Sequence, residues 1–210
     1  VEPFAGSAAV LLARPHVGRC ETINDRDGMV SNFWRAVRSA PDAVAEACDW
    51  PVIEADLHAR HLWLIGQRES VTARLIADPE YFDAKAAGWW AWGACAWIGS
   101  GWCDDRPSPS RQLPHLSRPG QGVSAAEFRG NDGLRGLLCS LSGRLRAVRV
   151  ASGDWQRVVT PTVLHGPAPG TCGVYLGPPY LDGAQQYAAG GTGTDLSAQV
   201  RAWCEAHGDD

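Results

Sequence analysis

The sequence predicts an α/β domain with a mostly parallel sheet, flanked by helices and interrupted by a helical insertion. Three observations predict it. Strand and helix patterns alternate over the first 40 residues, helical patterns dominate roughly 55–100, and strand patterns return near 146–152 and 172–176.

The elements follow in order. "VEPFAGSAAVLLARP" runs from a strand end through a Gly/Ser turn into an apolar helix that stops before Pro15. "CETIND" is a second short strand. In "DGMVSNFWRAVRSA" the residues Met29, Phe33, Trp34 and Val37 share one helical face, with Asp27 placed to cap it. Helical patterns then occupy "ADLHARHLWLIGQ", "SVTARLIADP" and "AKAAGWWAWGACAWIG". Pro, Ser and Gly break the pattern across 106–124, and another helix is expected at roughly 133–146. "RAVRVAS" and "CGVYL" read as strands, and "TDLSAQVRAWCEAHG" as the final helix. The expected layout is 1–54 for the first half of the sheet, 55–145 for the insertion and 146–210 for the second half.

Composition bounds the class. The 210 residues are 45% hydrophobic and 20% charged, as in ordinary globular chains. The uncharged run Ala86 to Cys103 holds five Trp and four Gly, which suits a buried helix better than a membrane span. Seven cysteines, odd in number and without a CxxC pair, argue against a disulfide framework or a structural zinc site. A soluble, monomeric cytoplasmic protein is expected. Residues 106–150 carry a formal +6, leaving −10 for the rest. That segment suits either a docking surface for a polyanion or a solvated Arg-rich face.

In an open parallel sheet, ligands bind beyond the carboxyl ends of the strands. After the first strand, Gly6 in "EPFAGSA" lets a ligand approach the backbone, and helix-opening amides can hold an anion. After the second, Asp25 lies 19 residues beyond Gly6, close to the offset at which an acid accepts from ribose hydroxyls; the alternative is a capping acid. "FAGSAA" lacks the three glycines of a dinucleotide-binding turn, so a nucleoside without pyrophosphate fits better. After the third strand, "SGDWQRV" offers Asp154 for an adenine amino group and Trp155 for a ring face; an N-cap and a core Trp are the other reading. After the fourth comes "GPPY", whose two prolines withhold backbone donors and end the strand.

EPFAGSA, IND, SGDW and PPY, in this order, resemble the Dam-like adenine-specific DNA methyltransferases of the Asp-Pro-Pro-Tyr class. The resemblance covers most of the chain, with the insertion weakly matched. It implies a Rossmann-like methyltransferase fold, S-adenosyl-L-methionine as cofactor and double-stranded DNA as partner, in a bacterial or phage setting. Glu2, Pro3, Phe4, Ala5, Gly6 and Ser7 would then line the cofactor site, with Asp25 at its ribose and Asp154 and Trp155 near its adenine. Gly177, Pro178, Pro179 and Tyr180 would form the catalytic motif, Tyr180 stacking on a base flipped from the duplex. Arg106, Arg111, His115 and Arg118 are candidate DNA contacts.

The reaction implied is methyl transfer to the exocyclic 6-amino group of adenine. That amine is a poor nucleophile because its lone pair is shared with the ring. In the family an acidic or amide side chain and the first proline's carbonyl accept from it and bias it toward attack. Here Gly177 stands in place of the Asp or Asn, so one acceptor is missing and a slow or inactive enzyme is expected. Asp182 lies two residues past Tyr180, but no spacing rule aims it at the base. The family also has a cofactor segment ahead of EPFAGSA and strands after the last helix, so the chain reads as an internal fragment.

Alternatives remain open: a catalytically disabled DNA- or cofactor-binding relative, an amino methyltransferase acting on cytosine or glutamine, and, remotely, a nicotinamide oxidoreductase. His58 and His61 at helical spacing suit packing or surface roles better than metal ligation. Trp89, Trp90, Trp92, Trp97 and Trp102 suit a core better than a base-stacking platform.

Overall fold

The structure is a computed structural model that describes residues 1–97, 101–104, 131–165, 171–178 and 193–208. It is a mixed α/β arrangement with a small parallel sheet and many helices.

Strands β1 (Glu21–Asp25) and β2 (Val148–Ser152) pair in parallel, with Ile23 opposite Val150. Two extended stretches continue the pairing. Glu2 bridges Ile23 in parallel, donating to the Thr22 carbonyl at 2.8 Å and accepting from the Asn24 amide at 2.9 Å. Val1, facing the other way, donates to the Gly173 carbonyl at 2.8 Å and accepts from the Tyr175 amide at 2.9 Å. Donation to one residue and acceptance from the residue two further on is the parallel pattern. The stretches therefore lie side by side in the order 173–175, 1–3, β1, β2.

Strand β1 is buried although four of its five residues are polar. Several of its polar groups bond within the protein, while Thr22 Oγ1 and Asn24 Oδ1 have no hydrogen-bond partner. Asn24 Nδ2 donates to the carbonyls of Pro3 (2.9 Å) and Gly153 (3.1 Å), and Glu21 takes a two-pronged contact from Arg144 at 2.6 and 2.8 Å. Burial alone would raise the Glu21 pKa; the Arg144 bonds, the Gly18 backbone and the Arg144 and Arg14 charges together outweigh it and hold the carboxyl below its ordinary range.

Helix α1 (Ala9–Ala13) follows left-handed residues at Gly6 and Ala8. Helix α2 (Gly28–Ser39) is capped as expected, Asp27 accepting from the Met29 amide at 2.9 Å, and it buries Met29, Trp34 and Val37. Helix α3 (Pro41–Cys48) was not among the expected elements; its sign is Pro41 at the first helical position, where proline has no amide bond to lose. Helix α4 (Glu54–Ala77) is one helix of 24 residues where two patterns were read. Gly66 costs a helix only about 1 kcal/mol, and burial of Leu57, Leu64, Val71 and Leu75 on one side offsets that.

Helix α5 (Ala84–Ala96) carries most of the Trp-rich run, and α6 (Asn131–Leu145) precedes β2. A single 3₁₀ turn (Trp155–Val158), α7 (Pro161–Leu164) and α8 (Gly193–His207) complete the described chain. Leu11, Ile23, Trp34, Val44, Ala87, Leu138 and Val148 belong to one core cluster, so α5 and α6 share their core with the sheet. Helix α4 joins α2 through Leu64, Val71 and Met29. No described helix is long and apolar enough to cross a membrane.

Candidate functional site

The turns after the first three strand ends meet. Gly6 donates its amide to Asp25 Oδ2 at 2.9 Å, the Asp27 amide donates to Asp25 Oδ1 at 2.8 Å, and the Gly153 amide donates to the Asp25 carbonyl at 2.9 Å. The Gly6 carbonyl accepts from Trp34 Nε1 at 3.0 Å, so both backbone groups of that turn are held. Gly6 has φ +47°, a conformation glycine adopts without steric cost. A methyl group in place of its hydrogen would meet nothing within 4 Å, so the space above the turn is open.

Burial raises the Asp25 pKa, while the Asp27 and Gly6 amides oppose that rise by binding the carboxylate. Asp25 is thus a half-buried carboxylate at a strand end, held by two amides.

Among the other expected residues, Pro3 and Ala5 are buried in the turn, Phe4 is half-buried and Ser7 is exposed. The Phe4 ring lies 5.8 Å from that of Trp155. Trp155 is buried, and its Nε1 has no hydrogen-bond partner. Asp154 is exposed and caps the 3₁₀ turn, accepting from the Gln156 amide at 2.9 Å. Glu2 departs from the group: its side chain lines a separate cleft of about 370 Å³ with Leu11, Arg14, Glu21 and Thr22, and burial there raises its pKa.

Val174 and Leu176 pack into the cluster that holds Trp155 and Phe4, which anchors the stretch leading to Gly177 and Pro178. Gly177 is exposed and Pro178 half-buried. Pro179, Tyr180, Asp182 and the candidate DNA contacts Arg106, Arg111, His115 and Arg118 lie outside the described residues.

Two residues that sequence reasoning did not single out shape this rim. Asn24 staples Pro3 to Gly153, and Arg68 on α4 donates to Asp27 Oδ2 at 3.3 Å and to the Cys103 carbonyl at 2.7 Å. Neither has a local signal, because their partners lie far along the chain. The histidines pack: His61 stacks on Trp97 at 4.8 Å and its Nδ1 accepts from the Cys103 amide at 3.2 Å, while His58 meets Trp97 edge-on. No cluster of potential metal ligands occurs among the described residues.

Together these features define an α/β chain with parallel strand ends converging on a glycine turn and a carboxylate. Comparison with protein-family models, curated proteins and solved structures returned no match.

Proposed function

We propose that the chain is an S-adenosyl-L-methionine-dependent methyltransferase of a Rossmann-like class, acting on the 6-amino group of adenine in double-stranded DNA and slowed by Gly177. The observation that carries this reading is the segment order 173–175, 1–3, β1, β2. The order reverses between 1–3 and 173–175, and open α/β sheets bind ligands at the carboxyl side of such a reversal. Gly6 follows one of these segments, and Gly177 and Pro178 follow the other.

The residues at the rim fit a nucleoside cofactor. The open space over Gly6 admits a ligand to the backbone. Asp25 supplies a carboxylate for ribose hydroxyls, and the unpartnered Trp155 Nε1 is a buried donor beside Phe4. When bound, this cofactor supplies a methyl group activated on a sulfonium. The protein's share is to orient the amine: the Pro178 carbonyl accepts a hydrogen bond from it, held in direction by the proline ring, and Tyr180 stacks on the extruded base.

Gly177 offers no second acceptor, and this favours one further reading, a binding relative without catalysis. Its φ lies outside the left-handed range, and among the described residues the atoms nearest an added Cβ belong to the exposed Tyr175 ring, at 3.2 Å, which would have to give slightly. Two measurements test the readings. Calorimetric titration with S-adenosyl-L-methionine and with NAD should show binding of the first alone. Methyl transfer to adenine-containing duplex DNA, compared between the chain and Gly177→Asp, should separate a slow enzyme from an inactive one. Absence of cofactor binding overturns both readings.

A further inference from the structure

A second cleft, of about 290 Å³, lies between α4, α5 and the stretch before α4, lined by Trp50, Asp56, Ala59, Arg60, Trp63 and Trp89. Its volume sits at the small end for ligand sites, enough for one planar group. Trp50 is 49% exposed, and Trp63 and Trp89 are half-buried with ring centroids 5.1 Å apart. Trp50 is fixed at both ends: its Nε1 donates to Asp56 at 2.8 Å, and its carbonyl accepts from Trp92 Nε1 at 2.9 Å.

The charge in this cleft is unusual. Arg60 is 6% exposed, and its guanidinium carbon lies 4.4 Å from the Trp92 ring centroid, 4.7 Å from Trp89 and 4.9 Å from Trp50. Three indoles compensate a buried cation in part. Yet Arg60 has no carboxylate within ion-pair distance among the described residues, and its Nη1 has no hydrogen-bond partner. Asp56, in the same cleft, acts on Arg60 only from beyond that distance and already accepts from Trp50 Nε1, so the buried guanidinium keeps a donor without an acceptor, which is costly. Lys85, the sequence's one lysine, is exposed beside it, with Nζ 4.6 Å from the Trp63 ring and 4.4 Å from Trp89. Indole faces, two cations and the Asp56 carboxylate converge on a cleft the size of one ring.

We infer that this cleft binds one nucleotide of a single-stranded nucleic acid, the base laid against Trp50 and the phosphate drawn toward Arg60 and Lys85. A base offers the flat π face that stacks on indole, and its phosphate supplies an acceptor for the open Arg60 donor and a counter-charge for Lys85. An acidic peptide would supply the charge but leave the indole faces without a stacking partner. The cleft shares no residue with the Gly6–Asp25 rim and does not rest on the methyltransferase reading.

Fluorescence anisotropy of a labelled oligodeoxythymidylate, titrated with the full chain at low salt and without cofactor, tests it. Trp50→Ala should weaken binding by roughly 5- to 150-fold, as loss of one base–aromatic stack does. Trp50→Phe, which keeps a ring face, should fall between it and the parent. Lys85→Gln should make the slope of log K against log salt shallower by about 0.7, the single-strand value for one phosphate. Leu62→Ala, at an exposed residue of α4 outside the cleft, should bind as the parent does. The inference is overturned if the parent does not bind the oligonucleotide, if Trp50→Ala binds as the parent with unchanged circular dichroism, or if oligoglutamate competes as well as the oligonucleotide.

Discussion

The Gly6 amide and the Asp25 carboxylate meet at 2.9 Å across 19 residues of sequence. That contact makes Asp25 a brace for the turn, and in the proposed function the same carboxylate meets the cofactor's ribose. Asp25→Ala should therefore lose stability and cofactor affinity together. Asp25→Asn keeps one acceptor oxygen and should retain more of the fold than of the affinity. Chemical denaturation and calorimetric titration of the two variants read these effects separately.

The same carboxyl sets a pH dependence. Its folded-state pKa is raised, mainly by burial, so the folded form holds its proton to higher pH than the unfolded chain does. Stability from this group is therefore full below the ordinary aspartate pKa and declines as pH rises through the raised value. Glu21 has the opposite sign. Its folded pKa is lowered, so its contribution is present above the ordinary glutamate range and is lost as pH falls through the folded value. Urea midpoints across acid pH should show the first slope vanish in Asp25→Asn and the second weaken in Arg144→Met.

Arg144 holds a carboxylate that is almost wholly buried. Removing it leaves that charge with only the longer, half-exposed Arg14 contact at 3.4 Å, and Arg144→Ala should cost about 3 kcal/mol in denaturant unfolding. Replacing the pair together, as Glu21→Gln with Arg144→Met, should cost less than the single change, because no unpaired charge remains.

Two helical glycines should respond in opposite directions. A Cβ at Gly93 would lie within 1.8 Å of the Trp102 ring, so Gly93→Ala should destabilise by about 1–3 kcal/mol. At Gly66 nothing lies within 4 Å, and Gly66→Ala should stabilise by about 0.5–1 kcal/mol. Thermal melts of both variants check the pair.

For Gly177→Asp, restoring the second acceptor on a slow parent should raise methyl transfer about 100- to 1,000-fold, by analogy with one preorganised donor of an oxyanion hole. Unchanged cofactor affinity alongside that gain would locate the effect in the transfer step.

Local patterns were readable because their causes are local. Asp27 caps α2 through an amide two residues away, and Met29, Trp34 and Val37 follow helical spacing. The Gly6–Asp25 convergence was legible only through strand-end logic. What stayed hidden depends on distance in the chain: Asn24 reaches Gly153 across 129 residues, and Glu21 meets Arg144 across 123. The break expected between "LIGQ" and "SVTAR" did not occur, because tertiary burial along α4 overrode the weak glycine penalty. Trp155 shows the remaining ambiguity of sequence reading, since a buried indole beside a strand end serves a core and a ligand site by the same composition.

Arg68 has a consequence for anyone exchanging parts of this protein. One guanidinium clasps the acid that caps α2 and the carbonyl of Cys103. A transplanted replacement for 55–145 would need a forked cation at that station, besides matching the core that α5 and α6 share with the sheet, to keep the Asp27 cap and the Cys103 turn joined.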